Sequence, residues 1–167
     1  LEAVAGSPVR TILDLEHGDH ARIRTAISKA TDSILPWGLA RELTGKNEPG
    51  EALAVLRTLT KGNLLVTDGV RGSWACDGAG IRHQPAFRVS AVDSTGCGDA
   101  YHGGYVVGVL EGWDLAMRME FGAWLAAEVA QALGGRTNLP SRQELASRNT
   151  SMLSPATRAA VLQLAAK

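Results

Sequence analysis

The sequence has no surplus of charge of either sign and no long apolar run. Its 17 basic residues balance 17 acidic residues, so the formal net charge is zero. Broad binding to nucleic acid or to an anionic membrane needs clustered positive charge, and we therefore expect neither partner. No apolar stretch approaches the roughly 20 residues that cross a bilayer. With 45% hydrophobic residues, the chain can still build a sizeable core, and one domain is the default expectation for its 167 residues.

Cysteine and proline are also scarce. Cys76 and Cys97 have no metal-ligand spacing, and two cysteines are too few for a disulfide framework. The first residues lack the basic and apolar regions of a secretory signal, so we expect a protein of the reducing cytoplasm. Glycine, in contrast, is abundant at 19 residues, above its usual share of about 7%. The positions of these glycines are therefore informative.

Short apolar runs alternate with helical patterns along the first part of the chain. The β-α-β-α-β order predicts parallel strands joined by right-handed crossovers, with strands at 9–15, 33–35 and 63–68 and helices at 19–30, 39–44 and 49–60. Three short alternating segments follow, at 73–76, 80–83 and 87–92, with a hairpin turn at 78–80. Further helices are predicted at 98–110, at 114–133 and in the tail from 141. The fold class is α/β.

The glycines concentrate between the alternating segment at 87–92 and the helix at 98–110. The stretch DSTGCGDAYHGG, residues 93–104, leads from a predicted strand into a helix. Glycine lets the backbone take positive φ and lets its N–H groups approach a ligand closely. The first N–H groups of a helix have no internal partner and carry partial positive charge. This segment therefore predicts an anion site suited to phosphate.

One acidic residue, Asp99, lies in the first turn of that helix. Its carboxylate would compete with a phosphate unless it had a task of its own, such as taking the proton from a hydroxyl that attacks phosphorus. A glycine turn that merely caps a helix is the alternative. A dinucleotide fingerprint is disfavoured because Tyr101 stands where its third glycine belongs, and no Gly-Lys-Ser/Thr follows to make a P-loop.

The run Asp93-Ser-Thr-Gly-Cys-Gly-Asp99 closely resembles the D-T-x-G-A-G-D signature of the ribokinase-like (pfkB) carbohydrate kinases. Residues 66–72, VTDGVRG, resemble the strand and T-x-G-x-x-G turn of that family, and the order of elements from 9 to 140 is similar to its C-terminal half. The resemblance implies a three-layer α/β/α fold with a mostly parallel sheet, lacking the N-terminal half and the β lid. It assigns residues 1–148 to the nucleotide-binding part and 149–167 to a helical tail.

What the resemblance implies for chemistry is ATP-dependent phosphorylation of a hydroxyl on a sugar or related small alcohol. Asp99 matches the catalytic base of the family. The backbone of Gly96, Cys97 and Gly98 matches the anion hole that neutralises the transferring phosphoryl group. Mg²⁺ is expected to bridge the phosphates, as in phosphoryl transfer generally.

The resemblance also assigns nucleotide and cation contacts. Thr67, Gly69 and Gly72 fall in the nucleotide-binding turn, and Ala123 falls among the small residues that line the adenine slot. Asp93 and Thr95, with the Gly134–Gly135 turn, fall near positions that bind a monovalent cation such as K⁺ in some members.

Two positions depart from the family pattern. Cys97 replaces the usual alanine, and a helix N-terminus can lower a thiol pKa, so either a backbone-only role or a reactive thiol is open. Aligning on Leu43-Thr44-Gly45 puts Pro36 and Leu39 at the positions of the Asn-x-x-Glu motif that helps organise Mg²⁺. Neither residue can serve, which weakens the expected metal site.

The length is the largest departure, because the absent half of the family domain would carry most sugar-contacting residues. Positioning is a large part of phosphoryl transfer, so this chain alone should be a poor catalyst. Either it is a fragment, a truncated product or a remnant, or a second polypeptide completes it. A catalytically impaired nucleotide-binding or partner-dependent regulatory module is therefore the alternative to a kinase, and a generic α/β binding domain is a third hypothesis.

Overall fold

The computed structural model describes residues 1–4 and 7–167. These residues form two compact units, Leu1–His83 and Gln84–Lys167. The first unit holds a sheet with its covering helices, and the second is built from helices and loops.

A five-stranded sheet organises the first unit, with its strands in sequence order. The strands are β1 (Ile12–Asp14), β2 (Asp32–Pro36), β3 (Asn63–Thr67), β4 (Ser73–Asp77) and β5 (Gly80–Gln84). Strands β1, β2 and β3 run parallel, and β4 runs antiparallel to β3. The predicted α/β class and mostly parallel sheet are confirmed.

Three helices connect the parallel strands: α1 (His20–Lys29), α2 (Trp37–Thr44) and α3 (Pro49–Leu56). Asp19 caps α1 because its Oδ1 accepts a 2.9 Å hydrogen bond from the Arg22 N–H. Gly45 ends α2 in the left-handed conformation, with φ at +67°. The helix predicted to reach residue 60 instead tightens after Leu56 into a 3-10 turn at Arg57–Leu59.

All three helices pack on one face of the sheet. Their buried side chains, such as Ile27, Leu43 and Leu53, form one apolar cluster with Leu64 and Val66 of β3. Leu65 points to the opposite face of the same strand and is also fully buried. The central strand is thus buried on both faces, which explains its uninterrupted apolar sequence.

The second unit contains α4 (Cys97–Leu110), α5 (Leu115–Ala130) and α6 (Pro155–Ala166), with a 3-10 turn at Gln143–Ser147. Helices α4 and α5 approach closely through glycines, since a Cβ on Gly104 would lie 2.9 Å from the Gly122 Cα. Phe121 and Trp124 stack in the core of this unit. No helix among the described residues is both long and apolar enough to span a membrane.

The segment at 87–92 was predicted to be a strand, and this prediction is wrong. The chain has no regular strand or helix from residue 85 to residue 94. The N–H groups of Val92 and Asp93 both donate to the Ala130 carbonyl oxygen at the end of α5, at 2.7 and 3.2 Å, so they are not paired with a strand. Phe87 packs against the apolar core of the second unit, which accounts for the apolar alternation.

Candidate functional site

The glycine turn at the start of α4 is a close backbone junction. Gly96 precedes the helix with φ at +74°, in the left-handed region that favours glycine. A Cβ on Gly96 would lie 2.4 Å from the Gly135 carbonyl oxygen and 2.7 Å from the Gly135 Cα. Only glycine fits here, because the obstructing atoms belong to the backbone.

The Asp93 carboxylate ties the two sides of this junction together. One carboxylate oxygen accepts a 2.9 Å hydrogen bond from the Thr95 N–H, and the other accepts one of 2.9 Å from the Gly134 N–H. These two hydrogen bonds hold the pKa of Asp93 below its ordinary value. Asp93, Thr95 and the Gly134–Gly135 turn, which the resemblance linked to a monovalent cation, therefore lie together. The cation itself stays a prediction.

The first amides of α4 form the polar edge of the turn. The Cys97 N–H donates to the Ser94 carbonyl oxygen at 3.2 Å, and the Ala100 N–H donates to that of Gly96 at 2.9 Å. Between them, the N–H groups of Gly98 and Asp99 have no acceptor among the described residues. A Cβ on Gly98 would meet no atom within 4 Å, and Gly98 and Asp99 are both exposed, so this part of α4 faces open space. Two open amides at a helix N-terminus can bind an anion.

Asp99 stands at this opening. It lies in the first turn of α4 and is exposed. Across residues 1–4 and 7–167, no hydrogen-bond or ion-pair partner holds its side chain. An accessible carboxylate therefore lies beside open amides. This carboxylate can accept a proton next to an anion that the amides bind.

The thiol of Cys97 is directed into the second unit, toward α5. Its Sγ donates to the Ala126 carbonyl oxygen of α5 at 3.4 Å. Burial raises the pKa of the Cys97 thiol, and the nearby negative charge of Asp93 raises it further. Because nucleophilic cysteines are thiolates, the structure favours the backbone-only interpretation.

The predicted nucleotide-binding turn lies in the first unit, directly after β3. Thr67 is the last residue of that strand. Gly69 and Gly72, with φ at +47° and +92°, bracket a 3-10 turn. The turn is closed by hydrogen bonds from the Asp68 N–H to the Gly72 carbonyl oxygen, at 2.8 Å, and from the Gly72 N–H to that of Gly69, at 3.0 Å. Ala123 lies in the second unit, on α5, and is buried.

One residue of this turn, Arg71, was not expected from the sequence to have a role. Arg71 occupies an unspecified position of the T-x-G-x-x-G pattern, and in the structure its guanidinium group lies over the rings of Trp37 and Trp74. In the sequence, only its position inside a glycine motif could have indicated that Arg71 has a role. The two tryptophans are 34 residues before and 3 residues after it in the chain, so their meeting depends on the fold.

The structure shows where Pro36 and Leu39 lie, and the strength of the metal site stays a prediction. Pro36 ends β2 and precedes α2, and Leu39 is only 4% exposed within the apolar cluster of the first unit. Among the residues that the structure describes, no three or more His, Cys, Asp or Glu side chains are grouped to hold a metal ion. Protein ligands for Mg²⁺ are therefore not evident in this part of the chain.

Comparison with known proteins gives a family match across the middle of the chain. A model of the pfkB family carbohydrate kinases matches residues 40–142. The 5-dehydro-2-deoxygluconokinase of Clostridium perfringens is 33% identical over 123 residues, which cover 69% of this chain and 36% of that protein.

Solved structures give the same fold. The ribokinase of Thermotoga maritima superposes with a TM-score of 0.71 at 23% identity, covering 86% of this chain and 50% of its own. An Escherichia coli structure described as a ribokinase II, solved in complex with ATP and Mg²⁺, has a TM-score of 0.64 at 18% identity and covers 72% of this chain and 39% of its own. The fold is therefore ribokinase-like. The chain spans about one third to one half of the length of these proteins.

Proposed function

The chain belongs to the pfkB family of carbohydrate kinases, and on this premise we propose that it serves ATP-dependent phosphoryl transfer to a hydroxyl of a sugar or related small alcohol. The observation that carries the proposal is the start of α4, where the open amides of Gly98 and Asp99 lie beside the exposed Asp99 carboxylate. A hydroxyl-directed kinase needs both an anion site and a proton acceptor at the same place.

The proposed step uses Asp99 as the general base. The acceptor oxygen forms a bond to the γ-phosphorus while the bond from phosphorus to the β–γ bridging oxygen breaks, and the hydroxyl proton passes to the Asp99 carboxylate. The products are the phosphorylated acceptor and ADP. The backbone of Gly96, Cys97 and Gly98 forms the proposed anion hole, in which the Gly98 N–H is open and the Cys97 N–H has a 3.2 Å bond that a stronger acceptor can replace.

The proposed nucleotide contacts are Thr67, Gly69, Gly72 and Ala123. Mg²⁺ supplies charge neutralisation to the phosphates when it is bound. No group of three or more His, Cys, Asp or Glu side chains among the described residues would hold the ion by itself, and we propose that it would enter together with ATP. A K⁺ ion at Asp93 and Thr95 is part of the same proposal and rests on the family resemblance alone.

Binding of ATP with Mg²⁺ to the full chain is the first test, because it needs no acceptor. Saturation at about 100 times the dissociation constant should stabilise the fold by about 2.7 kcal/mol, measured as a rise in the unfolding midpoint. Transfer is then tested by coupled ADP release with a panel of sugars. Asp99→Asn should abolish transfer and leave ATP binding nearly unchanged.

Asp114→Asn is the matched control for Asp99→Asn. It makes the same chemical change at the start of α5, where Asp114 accepts a 2.9 Å hydrogen bond from the Met117 N–H. Asparagine caps helices about as well as aspartate, so this variant should keep full activity. Full activity of Asp99→Asn would show that another group is the base.

A nucleotide-binding or partner-dependent regulatory module without transfer activity is the second candidate. It is favoured by Pro36 and Leu39 at the metal-organising positions and by the burial of Leu39 in the core. It predicts ATP binding without ADP release for any sugar. Failure to bind ATP at millimolar concentration would refute both candidates and leave a glycine turn that only caps a helix.

A further inference from the structure

Arg71 sits at the centre of a stack of aromatic side chains in the first unit. Its guanidinium carbon lies 5.9 Å from the ring centre of Trp37 and 5.6 Å from that of Trp74. The Trp74 ring stacks in turn on His83, with ring centres 4.2 Å apart and an angle of 17° between the planes. We call these four residues the Arg71 stack.

The stack also holds the backbone of the turn. The His83 Nε2 lies 2.8 Å from the Arg71 carbonyl oxygen, so this nitrogen carries the hydrogen and donates it. The Arg71 Nε donates to the Asp68 carboxylate at 2.6 Å, across the base of the 3-10 turn. Both the side chain and the main chain of Arg71 are therefore fixed.

Apart from its own backbone hydrogen bonds, the turn has few other contacts to fix it. Val70 at its tip is 95% exposed, and no residue from Gly69 to Arg71 belongs to a buried core. Glycines at both ends favour many backbone conformations when a turn is unsupported. A loop that must meet a ligand with its backbone binds better when it is already ordered, because ordering costs conformational entropy on binding.

We propose that Arg71 is a positioning residue that orders the Thr67–Gly72 turn for nucleotide through its contacts with Trp37, Trp74 and Asp68. The proposal rests on the proposed function, since it assumes that this turn meets the nucleotide. The charge of Arg71 is already shared with the carboxylates of Asp68 and Glu48, the latter at 3.6 Å. Arg71 therefore acts on the turn rather than as a free phosphate ligand.

Arg71→Ala is the test variant, and Arg82→Ala is its matched control. Both arginines lie in the first unit with similar side-chain exposure, 44% and 41%, and both pair with an aspartate three to five residues earlier, Asp68 and Asp77. Of these two arginines, only Arg71 lies over tryptophan rings. The comparison therefore separates the stack from a loss of positive charge.

Calorimetric titration of the full chain with ATP and Mg²⁺ should show about three- to tenfold weaker binding for Arg71→Ala, the range that cation–π contacts and an ion pair supply. Arg82→Ala should stay within about twofold of the parent. Arg71→Lys should recover part of the loss, because lysine keeps the charge but lacks the planar fork. Trp37→Leu should weaken binding in the same direction, and its effect should not add to that of Arg71→Ala.

Hydrogen exchange in the absence of nucleotide gives a reading that does not depend on the proposed function. The Arg71 and Gly72 amides, bonded to the carbonyl oxygens of Asp68 and Gly69, should exchange faster in Arg71→Ala and not in Arg82→Ala. Three results would each overturn the inference. The first is unchanged amide exchange in Arg71→Ala, and the second is equal ATP affinity of Arg71→Ala and Arg82→Ala. The third is a loss of ATP affinity in Arg71→Ala without one in Trp37→Leu. If the parent chain bound no ATP, the proposed function would fail, and exchange alone would decide the role of Arg71.

Discussion

The backbone junction between Gly96 and Gly135 gives the sharpest prediction for the second unit. Replacing Gly96 with alanine would put a Cβ 2.4 Å from the Gly135 carbonyl oxygen and 2.7 Å from its Cα. Neither atom can rotate away, because both belong to the main chain. The junction has to open, and opening it pulls the Gly134 N–H away from the Asp93 carboxylate.

Two contributions set the size of the effect. An alanine in the left-handed conformation that Gly96 adopts, with φ at +74°, costs about 1–2 kcal/mol. Separation of the two turns adds a similar amount, which gives about 2–4 kcal/mol lost from the free energy of unfolding. For a chain of this size, that corresponds to a melting temperature lowered by about 5–12 °C.

Urea and thermal unfolding followed by circular dichroism measure this loss directly. Gly98→Ala is the control, since Gly98 lies two residues away in α4, has no positive φ, and its Cβ would meet nothing within 4 Å. Alanine is the better helix former by about 0.5–1 kcal/mol, so this variant should be as stable as the parent or slightly more so. A Gly96→Ala protein as stable as Gly98→Ala would refute the close junction.

Three further predictions concern the second unit. Asp93 has a lowered pKa, so its stabilising effect is complete above the ordinary carboxyl pKa of about 4 and is lost as the pH falls through its lower pKa in the folded protein. Asp93→Asn should therefore reduce the loss of stability on acidification. An unchanged loss of stability at acid pH would contradict this. The raised pKa of Cys97 predicts slow alkylation by iodoacetamide at neutral pH, and rapid alkylation would show that the thiol is activated. Glu120 accepts hydrogen bonds from the Ser154 N–H and Oγ, both at 2.7 Å, and from the Thr157 hydroxyl at the start of α6. Glu120→Ala should therefore cost about 1–2 kcal/mol in urea unfolding, and a change below about 0.5 kcal/mol would mean that these bonds contribute little.

Local sequence signals predicted the parts of the structure that local physics controls. Asp19 and Gly45 mark the start of α1 and the end of α2 because capping depends on a few adjacent residues. The apolar alternation at 87–92 misled because a strand needs a hydrogen-bonded neighbour, and the amide of Val92 bonds to the end of α5 instead. Periodicity indicates which side chains are buried and does not identify the backbone partner.

The same distinction applies to the candidate site. The open amides of Gly98 and Asp99 follow from a glycine turn that leads into a helix, so the sequence was enough to expect them.

The Arg71 stack depends on Trp37, which comes from another strand–helix junction and lies where the family places its Asn-x-x-Glu motif. A tryptophan cannot replace a metal-organising side chain, but its ring can hold the arginine of the adjacent turn. If ATP binding depends on Arg71 and Trp37 together, this region has kept a role in nucleotide binding by a different physical interaction. If it depends on neither, the Arg71 stack has no role in the proposed nucleotide binding.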